Sequence, residues 1–200
     1  AEDGRPHLDI VLDCTMKARQ IIADLLAFSK PTARDVEILD PVTLIDECLR
    51  LVRQAVPINI VMTVQTDGCL PSIAVNRTSF VQVILNLVTN AAAAMSGTGT
   101  LTISMDEHVV EPEPFSSDPC KPTHFARLRV TDTGCGMSKE ILDRVFEPFF
   151  TTKPIGDGTG LGLPVVYGLV QEMHGTISLA SELGRGTTVT ILIPSHGGTQ

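Results

Sequence analysis

The chain has 200 residues and a formal net charge of −8. That charge argues against a general nucleic-acid binder, which shows a basic face, yet it leaves room for a local basic pocket around an anion. Hydrophobic residues make up 43% and aromatics 4%, with no Trp and one Tyr, so Leu, Ile, Val and Ala must fill the core of one ordinary domain plus an appendage.

Residues 7–29 read as a helix. Val11, Cys14, Ala18, Ile21, Leu25 and Phe28 follow a 3-4-3-4-3 spacing, the seam of a coiled coil, and Pro31 ends it. One such helix cannot bury its seam alone and needs a partner. Residues 31–41 read as a connector. "PVTLIDECLRLVRQA", from Pro41, is a short amphipathic helix with Leu44, Ile45, Cys48, Leu51 and Val52 on one side. "INIVMTVQ" is β-branched and reads as a strand, and "SIAV" as a second, short one. Asn76 or Ser79 caps the next helix, with Ser79 and Gln82 in capping-box spacing. "SGTG" stops that helix after Met95. Thr78 to Met105 carries no charge, but Gln82, Asn86, Thr89 and Asn90 break its apolar run too often for a membrane span. "TLTISMDEHVV" and "HFARLRVTDT" are strands, separated by a loop with four prolines. A helix over 138–145 follows, then a Gly-rich stretch, a helix over 161–173, and a closing hairpin of "GTISLASE" and "GTTVTILIP". Paired strands with interspersed helices predict an α+β sandwich: a mixed, mostly antiparallel sheet with helices on one face.

Five scattered cysteines, with no C-x-x-C pair, read as small buried hydrophobes in a reducing, cytosolic compartment.

Four stretches can carry chemistry. On the helix "VILNLVTNAAAAM", Gln82, Asn86 and Asn90 form one polar stripe, while Ile84, Leu85, Leu87, Val88, Ala91 and Ala92 cover much of the rest. Such a stripe faces either a structural hydrogen-bond network or a filled pocket, and an amide oxygen is a suitable hard ligand for Mg²⁺. In "VTDTGCGM" a strand runs into Asp132 and then Gly134 and Gly136. That pattern fits an Asx-type turn, or an acceptor for an exocyclic amine with backbone close to a flat ligand. "GDGTGLGL" opens a helix, where free amides bind phosphate, or it is a flexible loop. It has no G-x-x-x-x-G-K-[ST] pattern and no good strand before it, so it is neither a P-loop nor a dinucleotide fingerprint. "RVFEPFFTTK" puts three Phe in five residues beside Lys153, as a lid hinged on aromatics or a cluster covered by a partner would.

The order of these motifs, N-x-x-x-N, D-x-G-x-G, F-x-P-F and G-x-G-x-G, resembles the ATP-binding catalytic domain of sensor histidine kinases. That domain has the Bergerat fold, shared with gyrase, MutL and chaperone ATPases. "FEPFFTTK" and "GTGLGL" point to the histidine-kinase branch and its nitrogen-sensor-like subgroup, and "LLAFSKP" is similar to the end of that family's dimerisation hairpin. The resemblance implies residues 1–30 as part of a dimerisation helix, 31–41 as linker, 42–195 as the catalytic domain and 196–200 as tail.

The resemblance also implies ATP and Mg²⁺ as cofactors. Asn90 would ligate Mg²⁺, Asn86 would line the phosphate pocket, and Asp132 would receive the adenine amine. Gly134 and Gly136 would shape the adenine floor, and Phe146, Phe149 and Phe150 would anchor the lid. Gly158, Gly160 and Gly162 would let the lid close, and Thr188 would lie near the adenine. Met137, Thr152, Thr159, Leu161 and Leu163 complete the expected nucleotide contacts. Arg144 and Lys153 would add charge toward the phosphates, making them the expected catalytic side chains with Asn86 and Asn90.

There are departures from the family pattern. Many relatives carry Lys or Arg where Ala93 stands. His7 is followed by Leu8, not an acidic residue, so the phosphoacceptor is expected on a helix before residue 1, and the chain is expected to bind ATP without completing autophosphorylation alone. In ATPase relatives the residue four before the Mg²⁺ ligand is usually Glu, a general base for water. Here it is Asn86, whose amide has no basic lone pair. That favours transfer to a nucleophile supplied elsewhere over a Bergerat ATPase, and the complete motif set argues against a scaffold that only binds nucleotide. Expected partners are ATP or ADP, a response-regulator receiver domain, and a second copy through the hairpin. Nucleic acid and direct membrane contact are not expected, and the compartment is cytoplasmic, whether or not the intact protein is membrane-anchored.

Overall fold

A computed structural model describes residues 15, 35–68, 70–110, 123–154 and 158–196. Apart from Thr15, the helix expected over 7–29 lies outside these residues, as does the proline-rich loop.

The elements run β1 (Val36–Leu39), α1 (Pro41–Ala55), β2 (Ile60–Thr66), β3 (Ile73–Asn76), α2 (Arg77–Ala94), β4 (Gly99–Val110), β5 (Thr123–Asp132), α3 (Lys139–Leu142), α4 (Gly162–Glu172), β6 (Thr176–Glu182) and β7 (Gly186–Pro194). The main sheet has the order β2-β4-β5-β7-β6. Only β2 and β4 run parallel, with Ile60 opposite Gly99; the other pairs are antiparallel.

Alternation along the strands decides which face is covered. Leu101, Ile103 and Met105 on β4, Ala126, Leu128 and Val130 on β5, and Val189, Ile191 and Ile193 on β7 are all buried. They pack with Phe80, Ile84 and Val88 of α2 and Val166 and Val170 of α4 in one core. The opposite face is polar: Arg127 pairs with Asp106, Arg129 lies 3.4 Å from the same carboxylate, and Thr131 meets Thr188 at 3.1 Å. A sheet with one apolar and one polar face is the antiparallel habit, and it matches the expected α+β sandwich.

Helix starts follow local chemistry. Asp40 caps α1, accepting from the Thr43 amide at 3.0 Å and the Thr43 hydroxyl at 2.6 Å, with Pro41 in the first turn. Leu44, Ile45, Cys48 and Val52 are buried, but Leu51 is 48% exposed because it sits at the edge of that stripe. Asn76 caps α2, its side-chain oxygen accepting from the Ser79 amide at 2.9 Å. Ser79 is already in the first turn and buried, so the capping-box spacing with Gln82 does not mark the helix start.

Two elements differ from expectation. Within 31–41, read as a connector, Val36–Leu39 forms β1 and pairs antiparallel with β3 in a separate two-stranded sheet. The helix expected over 138–145 is one turn, Lys139–Leu142, and gives way to the turns that carry the Phe cluster.

Candidate functional site

The C-terminal half of α2, the end of β5 and the start of α4 converge on a cavity of about 300 Å³, at the lower end of small-molecule sites. Its apolar wall includes Leu87, Val130, Ile141, Val145, Leu179 and Val189. The motif reading missed these residues, because hydrophobic positions on strands and short turns look alike whether they face core or cavity. The charged groups among its lining residues are Asp132 and Lys153.

Asp132 ends β5 and is 7% exposed. Burial pushes its carboxyl above the ordinary carboxylate range, while hydrogen bonds from the Gly134 and Thr187 backbones pull the other way. The Gly134 amide donates to Oδ1 at 2.8 Å. Asp132 thus closes an Asx-type turn and lines the cavity at the same time.

The neighbouring glycines are needed because backbones touch there. A Cβ on Gly136, where φ is +65°, would lie 2.0 Å from the Glu182 carbonyl oxygen. On Gly134 it would lie 2.7 Å from the Ala94 carbonyl carbon. Gly136 lines the cavity, whereas Gly134 does not: it is pressed against the end of α2, where the Cys135 amide also donates to the Ala94 carbonyl at 3.0 Å.

The polar stripe of α2 divides in two. Asn90 lines the cavity and abuts Gly162, whose missing Cβ would sit 3.3 Å from Asn90 Nδ2. Asn86, one turn earlier, lies outside the lining; its Nδ2 is buried without a hydrogen-bond partner among the described residues. A buried amide without a partner is costly and fits a site that a further polar group completes.

The lid region is only partly arranged as expected. Phe150, Thr152, Lys153, Gly158, Thr159, Gly160, Gly162 and Leu163 line the cavity, as does Met137. Phe146 instead packs at a tilt against Tyr167 of α4, with ring centroids 5.3 Å apart. Phe149 is 69% exposed with φ of +67°, and its amide donates to the Gly160 carbonyl at 2.9 Å. Leu161, the N-cap residue of α4, is buried in the core instead.

Arg144 does not point into the cavity. Its Nε donates to Glu147 Oε2 at 2.9 Å, and its guanidinium lies 4.3 Å above the Phe150 ring. Pairing and stacking hold it outside, so it braces a cavity wall instead of facing an anion. Thr188 is also misplaced: the two-residue period of β7 turns it to the outer face against Thr131, and Thr187 lines the cavity in its stead.

α4 begins with no side-chain cap, and Pro164 contributes no amide. The open amides and the positive end of the helix dipole suit an anion. Among the described residues no cluster of three or more His, Cys, Asp or Glu could hold a metal. The donor set suits Mg²⁺ that takes one amide oxygen from the protein and the rest from phosphate and water. Asn90 at the wall, the unpartnered Asn86 amide and the uncapped helix all fit a magnesium-bound nucleotide.

Comparison with known proteins bears on the family and the fold. The family profile described as "Histidine kinase-, DNA gyrase B-, and HSP90-like ATPase" matches residues 75–197. The chain is 34% identical over 179 residues to sensor histidine kinase ZraS of Escherichia coli, covering 89% of this chain and 35% of that protein. It is 32% identical over 179 residues to sensor kinase CckA of Brucella abortus, covering 89% of this chain and 19% of that protein. The chain thus spans well under half of these relatives. Among solved structures, the catalytic domain of histidine kinase ThkA aligns with a TM-score of 0.63 and 26% identity, over 80% of this chain and 96% of that one. ThkA in complex with response regulator protein TrrA aligns with a TM-score of 0.69 and 22% identity, over 100% of this chain and 54% of that one.

Proposed function

This chain belongs to the family of histidine kinase-, DNA gyrase B- and HSP90-like ATPases, and we propose that it is the catalytic domain of a sensor histidine kinase, binding Mg·ATP for phosphoryl transfer to a histidine. The observation that carries the reading is the Asn90 side chain, set against Gly162 at the cavity wall, in a cavity that also holds the buried carboxylate of Asp132.

Bound Mg·ATP supplies the γ-phosphoryl group and the cation that neutralises its oxygens. The Asp132 carboxylate accepts a hydrogen bond from the adenine amine, and the apolar wall holds the flat base. The Asn90 amide oxygen holds the magnesium. Lys153 and the open amides of α4 hold phosphate oxygens, taking over the charge that Ala93 does not supply. Arg144 acts through Phe150, bracing the wall. Positioning and charge neutralisation are what a phosphoryl transferase must provide.

Asn86 offers no basic group to draw a proton from water, so it disfavours hydrolysis. The nucleophile is a histidine on a dimeric helical hairpin, of which residues 1–30 are part, with 42–195 as the catalytic unit. The shared core of α1 with the main sheet supports including α1 in that unit. The phosphate passes on to a receiver domain, in keeping with the ThkA–TrrA complex. The compartment is the cytoplasm. The nitrogen-sensor-like assignment rests on "FEPFFTTK" and "GTGLGL" alone.

The test supplies γ-labelled ATP together with a hairpin bearing the acceptor histidine. Acid-labile, alkali-stable label on the hairpin supports the reading. Steady release of inorganic phosphate that disappears on mutating a nearby carboxylate would favour an ATPase instead.

A further inference from the structure

β2 is an outer strand of the main sheet: β4 flanks one side, and among the described residues no strand pairs with the other. The Asp67 amide donates to the Met105 carbonyl of β4 at 3.0 Å. The amide and carbonyl of one residue point to the same side of a strand, and the side alternates along it. Val61, Thr63 and Gln65 therefore turn their backbone groups to β4, while Met62, Val64 and Thr66 turn theirs outward. The Ile60 amide also leaves the sheet and is taken by the Pro57 carbonyl at 3.0 Å.

Exposed edges are usually blunted by a charge, a proline or a bulge. This one has none of them: residues 58–66 carry no charge and no proline, and the register with β4 is unbroken from Ile60 to Thr66. Met62 and Val64 lie on the core side, opposite Leu101 and Ile103, yet stay half-buried where the sheet stops. The other outer strand, β6, ends on the charged Glu182.

A strand added here must offer apolar side chains to Met62 and Val64 and bring no charge. β2 itself meets both demands. Two copies set antiparallel about an axis at Thr63 overlap over all seven residues of the strand. Met62 of one copy then faces Val64 of the other, so their outward backbone groups bond and their side chains close the core face. Thr63 meets Thr63 on the polar face at a non-hydrogen-bonded position, where side chains come closest. The charges nearest β2 in sequence are opposite in sign, Arg53 before it and Asp67 after it. The antiparallel arrangement brings the Asp67 end of each strand to the Arg53 end of the other.

We propose that β2 is a homodimerisation edge, at which a second copy of this chain adds antiparallel and joins two five-stranded sheets into one. The contact is isologous and closes on itself. It is separate from the helical contact expected of residues 1–30. No β2 residue lines the cavity, so it stands independently of the nucleotide reading.

The experiment is sedimentation velocity on the wild-type chain, Thr63→Lys and Thr63→Glu, each alone and the two variants mixed. Thr63 lies on the polar face of the sheet, opposite Thr102, so both variants should fold, as thermal unfolding would verify. Each alone sets like charges opposite one another and weakens association about tenfold. An equimolar mixture restores it, because Lys then faces Glu. Equal association of wild type and both variants overturns the proposal: shared dimers would assign the contact to residues 1–30, and shared monomers would leave the edge unpaired. Weakening without recovery in the mixture counts against it equally. Where a variant does not fold, hydrogen exchange on the wild-type chain decides. Protection of the Met62, Val64 and Thr66 amides rises with protein concentration while that of Thr63 and Gln65, already bonded to β4, stays level; exchange independent of concentration at all five overturns the proposal.

Discussion

Substituting Gly162 with Ala should move stability and nucleotide affinity in opposite directions. Gly162 is the first residue of α4, and its φ is not in the left-handed region. Alanine is therefore compatible with the backbone, and replacing glycine in a helix stabilises by about 0.5–1 kcal/mol, chiefly by restricting the unfolded chain. For a chain of this size that raises Tm by about 1–4 °C. The new methyl would lie 3.3 Å from Asn90 Nδ2 and 3.8 Å from Oδ1. The amide must withdraw by a few tenths of an ångström, which misplaces the one protein ligand assigned to the metal. A contact to a charged group contributes about 1.5–3 kcal/mol, so even partial loss raises Kd for Mg·ADP about tenfold. Differential scanning calorimetry without nucleotide gives the first quantity. Titration with ADP, with Mg²⁺ and with a chelator, gives the second; the loss should be larger with Mg²⁺. A higher Tm with unchanged Mg·ADP affinity would refute the placement of Asn90 at the metal.

Asp132 predicts two opposed pH effects. Its pKa is raised by burial, so the folded chain keeps a proton that the unfolded chain has lost. This contribution to stability is complete below the unfolded value and declines as pH rises through the folded one; Asp132→Asn should flatten that part of the stability profile. ADP affinity runs the other way, because the amine needs the carboxylate, and it should fall on acidification at a pH above the ordinary Asp titration. An affinity that does not change with pH down to the usual Asp range would remove the carboxylate from the contact, as would unchanged binding in Asp132→Ala. Phe149 sits in the left-handed region with its ring largely in solvent, so Phe149→Asn should stabilise the chain by about 1 kcal/mol, read by denaturant unfolding. A loss of that size would mean the ring packs against something that matters to the fold.

The sequence made some of this legible and hid the rest for identifiable reasons. The α2 stripe, the strand ending in Asp132 and the closing hairpin could be read because each joins a strong period to its own punctuation, such as the glycines after Asp132 and the "SGTG" after α2. β1 could not: "VEIL" is four residues long, and its pairing with β3 lies well beyond any local window. The motif points to Thr188, one residue from the Thr187 that lines the cavity, because a motif fixes a position only to within one residue, whereas the strand period sends adjacent residues to opposite faces. Arg144 was expected to face the phosphates, but its place is set by Glu147 and Phe150, neighbours that spacing names without showing how they engage it. The division between Asn86 and Asn90 arises from the approach of Gly162, which is tertiary and invisible along the chain.

The most direct test of the central claim is isothermal titration of Mg·ADP into the folded wild-type chain at high protein concentration. The account predicts saturable binding at one site per chain, with a matching upward thermal shift. No heat and no thermal shift from a chain shown to be folded would contradict it.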